Sequence, residues 1–129
     1  MAATYATRAS GVGSVHPEKV PGSFFDALVE ITADNSYPLT ATSGYPFGIA
    51  QLNTLFGGAY SAIESVEVVN PWISTATGAQ ASAMAAYDKV HGSVRAYGSN
   101  GAAPALLQEI PNAAATLNGL TCTLRVRFY

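Results

Sequence analysis

The chain has 129 residues, enough for one domain that buries roughly two thirds of its unfolded surface. Six Lys+Arg against eight Asp+Glu give a net charge of -2 with no basic run, which argues against nucleic acid as a partner. Charged residues are only 11% of the chain and apolar residues 49%, where soluble domains carry about 25% charge. So few charges suggest that neighbouring chains cover part of the surface.

Residues 1–23 mix small residues with Gly11, Gly13, Gly22, Pro17 and Pro21 and follow neither the helical nor the strand period, so they read as an extended arm, disordered or laid across a neighbour. The arm contains no apolar signal core, and no later run reaches the length of a membrane span. From Phe24 the pattern tightens. Phe25, Ala27, Val29 and Ile31 alternate with Asp26, Leu28, Glu30 and Thr32, as in a half-buried strand, before a turn at Asp34, Asn35 and Ser36. Residues 39–47 read as loop. Ile49, Leu52, Leu55 and Phe56 then fall at helical spacing, closed by Gly57 and Gly58. Residues 63–69 alternate as a second strand, expected to stop at Asn70 and Pro71, and Trp72 opens a small-residue loop or weak edge strand.

Met84 to Gly98 reads as a β-hairpin whose polar connection, Asp88 to Gly92, ends in a residue that accepts positive φ. An isolated hairpin is marginal in water, so it needs partner strands, and the expected partner is the last stretch, Thr121 to Tyr129. A short strand is expected over residues 106–110. The final stretch has the strongest alternation, with Cys122, Leu124, Val126 and Phe128 on one face and Thr121, Thr123, Arg125, Arg127 and Tyr129 on the other. Short strands separated by turn signals predict an all-β fold: an antiparallel β-sandwich, jelly-roll or β-tulip-like, over residues 24–129, with an extended N-terminal arm (1–23) and at most one short helix.

Chemistry is sparse. His16 and His91 have no second ligand at metal spacing, and Asp88, His91 and Ser93 are too local for a nucleophilic triad, so capping of the turn is the simpler role. Asp34, Asn35 and Ser36 lack the ligand spacing of a calcium loop, and the glycines form no phosphate cradle. Asp26 and Glu30 share a strand face that reads as solvated or as an interface. Cys122 reads as a small buried hydrophobe. No catalytic residue, metal or cofactor is expected. Instead, Tyr5, Tyr45 and Trp72, aromatic residues in irregular segments, are candidate interface anchors, joined by Arg8, Arg125 and Arg127; the last two can meet acidic groups of a partner, or Asp26 and Glu30 across the sheet.

Three segments carry a family likeness: VEITADNSYP (Val29 to Pro38), YDKVHGSVRAYGSNGAA (Tyr87 to Ala103) and EIPNAAATLNGLTCTLRV (Glu109 to Val126). Together they resemble small tailed-phage virion proteins of the capsid decoration, or cement, type, over roughly the last hundred residues. The chain departs from that pattern between Leu39 and Gly44 and between Asn70 and Ser82. The resemblance implies a non-enzymatic structural protein on the outer capsid surface of the virion, made in the host cytoplasm, bound to the major capsid protein and often trimeric. Alternatives are a head-fibre, collar or tail component, or a sugar-binding β-sandwich module using Trp72.

Overall fold

Alternation along the last segment places it at the centre of the sheet. In a computed structural model, which describes residues 3–7, 17–20, 22–34, 37–38, 44–74, 82–99, 107–109 and 118–129, that segment is strand β9 (Leu120–Phe128). It lies between β3 (Phe24–Thr32) and β5 (Ile63–Ser74), both antiparallel to it. In register, Val29 faces Leu124 and Ala27 faces Val126, while Val68 and Val66 stand opposite the same two residues from the other side. One face of three adjacent strands is therefore a continuous aliphatic surface.

The remaining described strands are β1 (Thr4–Thr7), β2 (Glu18–Val20), β4 (Tyr45–Pro46), β6 (Ser82–Asp88), β7 (Ser93–Ser99) and β8 (Leu107–Glu109), with one helix, α1 (Ile49–Phe56). Hydrogen bonding runs unbroken in the order β1-β3-β9-β5-β6-β7-β4, with β2 also on β3 and β8 also on β7. The antiparallel all-β class and the short helix are those expected from the sequence. The strands form one curled sheet. Its core packs Val29, Ile31, Cys122, Leu124, Val126 and Phe128 with Tyr37, Tyr45, Phe47, Leu52, Trp72, Val94 and Ala96. Fully burying each large apolar side chain contributes about 1.5–3 kcal/mol.

Several expectations are revised. The hairpin forms with Met84 opposite Tyr97 and Asp88 opposite Ser93, but β9 is not its partner, because both edges of β9 are occupied. β6 instead meets the end of β5 at Trp72 and Ile73, and β7 carries β4 and β8 on its other edge. Strand β5 does not stop at Pro71. The register shifts between Asn70, opposite Thr123, and Ile73, opposite Thr121, so the exposed Pro71 falls in an irregularity where its missing amide breaks no ladder bond. Two stretches of the expected arm are strands of the same chain's sheet. Thr4–Thr7 pairs with Val29–Thr32, and Glu18–Val20 pairs with Phe24–Asp26, on the edge of β3 that β9 leaves open. Thr121 and Thr123, expected on the polar face, are buried, and the Thr121 hydroxyl lies 3.0 Å from that of Thr32.

Local chemistry explains the helix limits. The Gln51 side-chain oxygen Oε1 accepts the Gly48 backbone N–H at 2.8 Å at the N-terminus, and Gly57 closes the C-terminus at φ +66°. The Asn53 amide then ties the exit, accepting from the Tyr60 N–H at 2.8 Å and donating to the Tyr60 carbonyl at 3.0 Å. Gly44 sits at φ +95°, where an added Cβ would lie 2.5 Å from the Val94 carbonyl oxygen; the segment holding Tyr45 thus approaches β7 closely.

Candidate interface surfaces

The outward face of the three central strands positions the charged candidates. Asp26, Arg127 and Ser65 form one rung of the ladder, and Leu28, Arg125 and Glu67 form the next. Arg127 donates twice to Asp26, Nε to Oδ1 at 2.9 Å and Nη2 to Oδ2 at 3.1 Å, a bidentate pair that orients the guanidinium against the carboxylate. The Asp26 hydrogen bond raises the Arg127 pKa above its ordinary value. Arg125 lies 3.7 Å from Glu67, and both side chains are more than half exposed. Of the two acids proposed to face these arginines across the sheet, Asp26 does so; Glu30 stands opposite Thr123. Clefts of about 210 and 360 Å³ lie along this strip, which is charge-balanced and partly covered at Leu28, where the side chain is buried.

Two expected anchors lie inside the molecule. Trp72 is fully buried and Tyr45 is 2% exposed, and their rings pack 5.6 Å apart. The Trp72 indole N–H donates to the Arg95 carbonyl at 3.3 Å, and the Tyr45 hydroxyl donates to Asp34 Oδ1 at 2.8 Å. Both rings carry a polar atom that finds a partner in the interior, which is how such residues become core rather than surface anchors. Tyr37 joins them, donating to Glu109 Oε2 at 2.6 Å and accepting the Ala96 amide at 3.0 Å. Burial first, and then the hydrogen bonds to Glu109 and Asp34 respectively, push the Tyr37 and Tyr45 phenols well above their usual range.

Tyr5 is half-buried. Its hydroxyl donates to the Pro46 carbonyl, its ring stacks on Phe47 with centroids 6.4 Å apart, and burial, with a smaller contribution from the Asp34 charge, pushes its pKa up to about 12. The ring also lines a cleft of about 430 Å³ with Gln51, Thr54 and Leu55. Arg8 and His16 lie outside the described residues, as do Asn35 and Ser36 of the turn weighed as a calcium loop. Among the described residues, no group of three or more His, Cys, Asp or Glu side chains is arranged to hold a metal ion. Cys122 is buried, and burial pushes its thiol up to about 12.

The hairpin loop is organised by Asp88. Its Oδ1 accepts the Val90 amide at 3.0 Å and the His91 amide at 3.2 Å, while Oδ2 lies 2.7 Å from His91 Nδ1 and also accepts from Arg95. The His91 hydrogen bond, foremost among these, holds the carboxyl down at about 2. Arg95 also approaches Glu109 at 3.5 Å, linking β7 to β8. His91 and Asp88 thus serve the turn, as the spacing implied. Sequence reading passed over Val90, which is 88% exposed at the tip; a β-branched residue inside a turn was the available signal.

No helix among the described residues is long and apolar enough to cross a membrane. No protein-family profile matches this chain, and neither does any curated protein or solved structure.

Proposed function

We propose that this chain is a non-enzymatic virion structural protein, a decoration or cement protein that binds the major capsid protein on the outer surface of an assembled phage head. The observation that carries the reading is the placement of its scarce charges. Asp26, Glu67, Arg125 and Arg127 form one self-paired, charge-balanced strip across the outward face of three central strands, a surface suited to another protein. A charged fraction of 11% and the likeness of the three quoted segments to phage cement proteins support it.

Such a protein acts by mass action. It binds the assembled shell and not the dissociated subunits, so each bound copy raises the free energy needed to open the shell by RT ln(1 + [L]/Kd). A homo-oligomer, with a trimer favoured, would give each assembly several such faces at once. No catalytic group, cofactor or nucleic acid enters this mechanism.

Purified protein added to capsids lacking it should co-sediment with them and raise their melting temperature, and native mass spectrometry of the free protein should show the trimer. Failure to bind assembled shells would overturn the reading. A head-fibre, collar or tail role uses the same fold and differs in the docking location, which virion density separates. The sugar-binding reading named Trp72 as its platform, and that ring is buried in the core.

A further inference from the structure

The curled sheet has two ends, and they meet. β1 begins the strand order and β4 finishes it, and among the described residues no strand pairing joins the two. A side chain makes the link instead. Tyr5, from β1, donates its hydroxyl to the Pro46 carbonyl of β4 and lays its ring on Phe47, the next residue, with centroids 6.4 Å and planes 21° apart. Phe47 is held from the other side by the hairpin: its amide donates to the Gly92 carbonyl at 2.8 Å, and its carbonyl accepts the Tyr87 hydroxyl at 3.0 Å. Tyr5 therefore closes the sheet against a segment that is already fixed in place.

β1 itself is lightly attached. Among the described residues it pairs with β3 alone, and of its side chains and that of the residue before it, Ala3 is buried, Tyr5 is half-buried, and Thr4 and Ala6 are exposed. β9, by contrast, pairs along both edges and buries Cys122, Leu124, Val126 and Phe128. An element with one paired edge and few buried side chains opens at a free energy well below that of global unfolding. Lifting β1 takes the Tyr5 ring off Phe47, which is otherwise fully buried, and bares the backbone edge of β3 from Val29 to Thr32, an unpaired edge of the kind that accepts an added strand.

We propose that β1 is a latch: it opens as a unit while the rest of the sheet stays folded, and the contact of Tyr5 with Pro46 and Phe47 sets how often it does so. The latch belongs to the free chain and needs no capsid, so it stands or falls separately from the decoration reading.

The test is amide hydrogen exchange of the full chain, read residue by residue by NMR in low concentrations of urea, for wild type, Tyr5→Phe and Tyr5→Ala. In wild type the protected amides of β1 should exchange at least about a hundredfold faster than those of β9, with rates nearly independent of urea, because a local opening exposes little surface; the β9 rates should climb steeply with urea. Tyr5→Phe keeps the ring and removes the hydroxyl bond, so β1 exchange should quicken by about fivefold with its urea dependence still flat. Tyr5→Ala also removes the stacked ring and should quicken it by at least about tenfold. Exchange of β1 at the same rate and with the same urea dependence as β9 would overturn the latch, since the strand would then open only when the whole chain unfolds. Unchanged β1 rates in both variants would overturn the role of Tyr5. A Tyr5→Ala chain that does not fold would overturn the proposal too, because a latch opens without the rest.

Discussion

The outer strip of Asp26, Glu67, Arg125 and Arg127 and the interior cluster of Tyr37, Tyr45 and Trp72 are both built from polar contacts between neighbouring segments, in opposite surroundings. In the strip, Arg127 donates to Asp26 at 2.9 Å, yet its side chain is 47% exposed. Water competes for the same donors, and an exposed ion pair contributes about 0–1 kcal/mol. In the cluster, Tyr37 donates to Glu109 at 2.6 Å with its ring fully buried, so losing that partner would strand a desolvated group at a cost of about 1–3 kcal/mol. Similar geometry therefore serves different ends. The interior bonds fix which segments meet, whereas the surface bonds orient Arg127 against Asp26 and leave Arg125 in a looser ion pair with Glu67 at 3.7 Å.

The largest effect expected from this contrast is that of Trp72→Ala. The change empties the centre of the cluster and leaves the Arg95 carbonyl without its indole donor, so stability in urea titration should fall by about 3–5 kcal/mol. A loss below about 1 kcal/mol would mean that the interior is loosely packed and the contrast is misplaced.

Alkaline pH probes the same cluster without mutation. Tyr37, Tyr45 and Tyr5 have folded pKa values raised above the ordinary 10, Tyr5 to about 12. Below pH 10 both the folded and unfolded chains keep them neutral, and their contribution is fully present. As pH rises from 10 toward 12, the unfolded chain ionises first and that stability is lost. The urea midpoint should therefore fall across this window, and Tyr37→Phe should flatten the fall. A midpoint constant from about pH 9.5 to 11.5 would contradict the burial of these phenols.

The smallest effect is expected on the surface. Arg127→Met should leave the urea midpoint close to that of wild type, with a difference that shrinks further as salt is added. A change as large as that of Trp72→Ala would make the strip part of the structural frame and remove it as a free docking face.

How far the chain could be read in advance follows from what periodicity encodes. Alternation at Ala27, Val29 and Ile31 and from Cys122 to Phe128 gave both the strands and their inner faces, because a period of two assigns every side chain to one face or the other. Gly57 and Gly92 marked a helix end and a hairpin turn through their tolerance of positive φ. The interior role of Tyr45 and Trp72 was hidden, since each lies among glycine, proline or small residues with no period to follow. The pairing of Arg127 with Asp26 was visible as one of two options, because a shared face permits contact without naming the neighbour. The exposure of Val90 at the hairpin tip was passed over, and the ties from its loop to Phe47 and Glu64 join segments too far apart in the chain for local pattern to show.

By itself, then, the sequence determined the β class, the helix, the hairpin and the inward row of β9, all of which depend on residues a few positions apart. The tertiary structure decided what depends on segments far apart in the chain. It placed β9 between β3 and β5 instead of beside the hairpin, carried β5 through Pro71, laid residues 4–7 and 18–20 on the edge of β3, and drew Tyr45 and Trp72 into the core. Alternation fixes the face a side chain takes but not the strand beside it. That neighbour is chosen by which edges remain open and which buried polar atoms find partners, and both are known only once the whole sheet has closed.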